Sequence, residues 1–61
     1  MKHNAIESIF AVDQRVKVIK GDYSGKEGVI QRLGAAGSVI YVHVLLDGAI
    51  TVLTFSESHL E

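Results

Sequence analysis

Apolar residues recur at every second position through most of this chain, in short runs separated by glycines. The stretch Arg15 to Leu33, RVKVIKGDYSGKEGVIQRL, shows the pattern most plainly. Val16/Val18 and Val29/Leu33 flank a polar segment that carries Gly21, Gly25 and Gly28. A period of two places alternate side chains on a buried and a wet face, so each flank reads as a half-buried strand. Glycines between strands mark positions that need positive φ or a close approach of backbones. The stretch therefore predicts a hairpin with a structured loop and Tyr23 at its tip.

The same reading extends in both directions. Strands are predicted over Gln14–Ile19, Glu27–Leu33, Ser38–Leu46 and Ala49–Phe55, with Gly34-Ala-Ala-Gly37 as a flexible hairpin link. Asp47-Gly48 is a strong signal for a two-residue type I′ turn. Ser56–Glu61 reads as a short closing turn or strand with Leu60 tucked in. The predicted core is Val16, Val18, Val29, Ile40, Val42, Val44, Leu53 and Phe55. Residues 1–13 read as a linker remnant or flexible arm, with a weak signal for a helical turn over Ala5–Phe10. Ile9, Phe10 and Val12 are expected to pack across one end of the domain. Residues 14–61 form the folded unit.

Sixty-one residues are enough for one domain with a small core. Short, evenly spaced strands without an amphipathic helix predict an all-β fold, a five-stranded antiparallel SH3-like barrel. Such a barrel buries only its inner face. Some of Ile30, Val39, Tyr41, Leu45, Ile50 and Val52 must then lie outside, either as a partner-binding patch or beneath the N-terminal segment.

Composition narrows the function classes. Without cysteine there are no disulfides or thiolate metal sites, which fits a reducing cytoplasm. No apolar run approaches a membrane span, so no membrane association is expected. The net charge is −1, with charges scattered singly rather than in the basic stripe of a dedicated nucleic-acid binder. His3, His43 and His59 are too few and too dispersed for metal-ligand spacing, and His43 reads as a surface or edge residue. Neither a nucleophile elbow nor phosphate-loop spacing is present. The chain reads as a non-enzyme without cofactor or metal.

Arg15 to Leu33 resembles a KOW motif: a strand, a glycine-containing loop, Gly28 and then the hydrophobic Val29. From Ile9 to Glu61 the order of elements is similar to the C-terminal domain of the NusG/RfaH family of bacterial transcription elongation factors. The carrying residues are Ile9-Phe10, the Gly21-Asp-Tyr-Ser-Gly25 loop, Ser38–Val44, Gly48, Leu53, Phe55 and Leu60-Glu61. Lys26 and Asp47 depart from the family, standing where aromatics are common.

The resemblance implies a monomeric, non-catalytic interaction module of a transcription elongation or antitermination factor. Its partners would be a small-subunit ribosomal protein or the termination factor Rho, with RNA polymerase held by a separate N-terminal domain. Partner contacts would come from Asp22, Tyr23, Ser24, Lys26, Leu46, Asp47 and Gly48. Two other readings stand beside it. One is an RNA-binding KOW module of ribosomal-protein type, using Arg15, Lys17, Lys20, Lys26 and Arg32. The other is a stand-alone SH3-like subunit of a larger assembly. RfaH-type domains also pack as a helical hairpin against their own N-terminal domain. Helix propensity through Ser38–Thr54 is poor, so the isolated chain is expected to be strand only.

Overall fold

A computed structural model describes residues 8–61, and these form an all-β domain. Four strands, β1 (Arg15–Lys17), β2 (Glu27–Ala36), β3 (Val39–Leu46) and β4 (Leu53–Ser56), make one antiparallel sheet in the order β1-β2-β3-β4. A single 3-10 turn, Glu57–His59, follows β4. The chain then returns to β1. Val18 bridges Leu60, and Lys17 and Glu61 exchange both backbone hydrogen bonds at 2.9 Å. Val18 meanwhile bonds the β2 side, its N–H donating to Lys26 O and its carbonyl accepting from Gly25 N. β1 is thus paired along both edges, which covers backbone groups that would otherwise template aggregation.

The core consists of Phe10, Val16, Val18, Ile30, Val42, Val44, Leu46, Phe55 and Leu60, with Leu33, Ile40 and Leu53 packed against it. Five of the eight expected core residues are buried, and Ile40 and Leu53 lie at the margin. Val29 is the exception: it points outward, and Ile30 is fully buried in its place. A β-bulge explains the exchange. The β2/β3 register runs Ile30↔Val44 and then Arg32↔His43, so Gln31 is an extra residue on β2. An extra residue reverses the alternation, and Ile30 and Leu33, three apart, come to share the inner face. Pairing Val29 with Leu33 assumed an unbroken period of two.

The turns also differ from expectation. β2 continues through Ala36, and the reversal uses Gly37 and Ser38 alone. Gly37 has φ 61° while Ser38 does not have positive φ, the pattern of a type II′ turn, whose twist matches that of the flanking strands. At Asp47-Gly48 only Gly48 has positive φ (83°), and Ala49 N–H donates to Leu46 O at 3.0 Å. This is a type II arrangement and not the expected type I′. Such a turn does not feed straight into a paired strand, so residues 49–52 form a loop and β4 begins only at Leu53.

The expected helical turn over Ala5–Phe10 lies partly outside the described residues, and residues 8–10 are not helical. Phe10 enters the core, whereas Ile9 and Val12 stay exposed. Glu57 holds this arm: its carboxylate accepts hydrogen bonds from the Ser8 hydroxyl and from Ile9 N–H. Asp13 then turns the chain into β1 with φ 75°, a left-handed conformation that aspartate tolerates better than most residues.

Candidate functional site

The β1–β2 loop is built from two consecutive turns. Ser24 N–H donates to Gly21 O at 3.1 Å, and Lys26 N–H donates to Tyr23 O at 2.9 Å. Gly25, third in the second turn, has φ 94°, which a side chain would strain. Gly25 N–H also donates to Val18 O at 2.8 Å, tying the loop to the strand it leaves. Tyr23 is held between these turns. Its ring stands edge-on to Phe55, with centroids 6.1 Å apart and planes at 86°. The ring meets the core at Phe55, while the residue as a whole remains 45% exposed. An aromatic fixed in this way presents contact area at little cost in ordering.

The β3–β4 connection leaves the same end of the sheet, because Gly28 pairs with both Val16 and Leu46. Asp47 N–H donates to Glu27 O at 2.8 Å. Asp22, Tyr23, Ser24, Lys26, Asp47 and Gly48 are exposed at this end, and Ile50 beside them is 99% exposed. Leu46 differs from its neighbours: at 6% exposure it belongs to the core, and its side chain is not available to a partner.

Arg15 is committed within the domain. Its guanidinium pairs with both Asp47 carboxylate oxygens, and its Nε lies 3.5 Å from Glu27. The hydrogen bond and charge of Asp47, with a smaller contribution from Glu27, raise its pKa further above the ordinary arginine value. The pair links the β3–β4 turn to β1 and β2, and two carboxylates offset the cation. Lys17, Lys20 and Lys26 remain at this end without an ion pair among the described residues. Arg32 stands apart, five residues along β2 from Glu27, or roughly 16 Å at the rise of a strand. The five cations expected to contact RNA are therefore not gathered into one patch.

The bulge builds a second feature, on the outer face. Two residues of a bulged strand oppose one residue of its partner, so Gln31 and Arg32 stand together opposite His43. His43 Nδ1 lies 3.0 Å from Thr54 Oγ1, which fixes the imidazole across β3 and β4. Gln31 Nε2 donates to Val29 O at 3.1 Å. With Val52 these side chains line an open cleft of about 290 Å³. His43 stands on the surface as expected, half-buried on the outer face, but on an inner strand rather than at an edge. Sequence periodicity places Val52 among the outward residues of a candidate patch but does not bring it together with Gln31, Arg32 and His43. The available signal is the spacing of Ile30 and Leu33, which breaks the alternation.

No group of three or more His, Cys, Asp or Glu side chains is placed to hold a metal ion among the described residues. None of their helices is long and apolar enough to cross a membrane. Compared with known proteins, the chain matches no family model, no curated protein and no solved structure.

Proposed function

We propose that this chain is a non-catalytic protein-interaction module, a KOW domain of SH3-like type from a NusG/RfaH-type transcription elongation or antitermination factor. In this reading Leu60-Glu61 is the fifth strand, and its pairing with β1 closes the sheet into a small barrel. The buried Gly28 supports the KOW resemblance, because a bare Cα there lets β2 and β3 run close together. The observation that carries the functional reading is the loop end, where two turns fix a half-exposed Tyr23 among exposed Asp22, Ser24, Lys26 and Asp47. A partner would dock on Tyr23 and Ile50 as apolar anchors, ringed by polar contacts. A small-subunit ribosomal protein or Rho is the partner class that the resemblance implies, in a reducing cytoplasm.

Tyr23→Ala tests this directly. The variant loses the edge-to-face contact with Phe55, worth about 0.5–1.5 kcal/mol, and is expected to stay folded. Its affinity for the partner should fall by roughly 1–3 kcal/mol, or about 5- to 150-fold by isothermal calorimetry. Tyr23→Phe keeps the ring and should retain most of the affinity. A folded Tyr23→Ala domain that binds ribosomal protein or Rho as tightly as the native chain would remove the loop end from the interface.

A further inference from the structure

The outer-face cleft shares no residue with the loop end, and its construction points to a ligand of its own. We propose that it is a second binding site, which seats a carboxylate side chain of an acidic peptide segment flanked by apolar residues.

Arg32 is the cation of this cleft. Its guanidinium makes no ion pair or hydrogen bond to a side chain among the described residues, although acids are more numerous than arginines and lysines in the chain. Arg15 shows the alternative, a cation held by two carboxylates of its own domain. The bulge sets Arg32 opposite His43, which is held by Thr54, and both residues line the cleft. Bulges re-aim side chains, and this one sets Arg32 in register with His43, both of them lining the cleft. Guanidinium recognises carboxylate through two parallel hydrogen bonds, which gives orientation as well as attraction. Val52 adds an apolar wall, and the exposed Tyr41 lies on the same face of β3 as His43.

Charge decides between peptide and nucleic acid. A nucleic-acid groove needs several cations to replace phosphate counterions, and this cleft has one arginine. One forked cation beside the apolar Val52, with exposed Tyr41 on the same face, complements one carboxylate with an apolar neighbour.

The test is an NMR titration of the ¹⁵N-labelled chain with capped leucyl-glutamyl-leucine. Parallel titrations use its leucyl-glutaminyl-leucine counterpart and a single-stranded oligouridylate. The glutamate peptide should give saturable shifts at Gln31, Arg32, His43, Val52 and Thr54, with at least ten-fold tighter binding than the glutamine peptide. Arg32→Gln should abolish that preference while keeping the native spectrum elsewhere, and Arg32→Lys should restore only part of it. Equal response to both peptides, no saturable response, or an unchanged Arg32→Gln titration would overturn the proposal. So would oligouridylate binding more tightly at these residues than the glutamate peptide.

Discussion

Val42→Asp is expected to leave the chain unfolded at neutral pH and 25 °C. Val42 is fully buried in the middle of β3, opposite Leu33 on β2 and Phe55 on β4. No cation lies in the core to pair with an introduced carboxylate. Burial raises a carboxyl pKa by up to about 3–5 units, and holding the group protonated at pH 7, roughly 3 units above its unfolded value, costs about 4 kcal/mol. A chain of this size is stable by only about 3–9 kcal/mol. The penalty is of the order of the whole stability. Circular dichroism and proton-shift dispersion would both report the loss. The sign of the pH effect checks the cause. The carboxyl pKa is raised in the folded state, so folding takes up a proton and stability falls as pH rises through the interval above the unfolded value. Acidification towards pH 4 should therefore recover part of the fold. A Val42→Asp variant that is folded at pH 7 would place Val42 on the wrong face.

Gly28→Ala should be the most damaging of the conservative substitutions. A Cβ at Gly28 would sit 2.4 Å from the Leu45 carbonyl oxygen and 2.7 Å from Leu46 Cα. These are backbone atoms of the neighbouring strand, so no side chain can rotate away. β2 and β3 would have to part where β2 is also held by β1. Overpacking of this kind costs about 1–3 kcal/mol, occasionally more, and the rigid neighbour places Gly28 at the upper end. At roughly 4–8 °C per kcal/mol for a small domain, the melting temperature should fall by about 12–24 °C. Gly34→Ala is the control. Its nearest contact would be His43 Nε2 at an ordinary 3.6 Å, and alanine is better than glycine within a strand. That variant should melt at or slightly above the native temperature. Equal melting of Gly28→Ala and the native chain would contradict the close approach of β2 and β3.

The legible parts of the fold were those governed by local period. Val16/Val18 and Val42/Val44 fall on the inner face because their strands carry no interruption. Local period puts Val29 on the wrong face but Leu33 on the right one, because a bulge is a two-strand event. Gln31 becomes the extra residue only when Ile30 pairs with Val44 and Arg32 with His43. The same limit hid the outer cleft, whose walls come from β2, β3 and the segment before β4. At the loop end, glycine spacing identified the turn that holds Tyr23, but not the ring's contact with Phe55 across the domain. Arg15 reads from the sequence as a candidate RNA contact, since the two acids that hold it lie 12 and 32 residues away in the chain. The dipeptide preference at Asp47-Gly48 predicts a type I′ turn, whereas the pairing of Asp47 with Arg15 and Glu27 accompanies a different one.

The claim that the loop end is a protein-binding surface is most directly tested by mapping which amides respond to which partner. The ¹⁵N-labelled chain would be titrated with a small-subunit ribosomal protein, with Rho and with single-stranded RNA, at low and at high salt. Saturable changes are expected at Asp22–Lys26 and Asp47–Ile50 with one of the proteins, weakly dependent on salt. Changes at Lys17, Lys20 and Lys26 with RNA alone, falling steeply as salt rises, would contradict it.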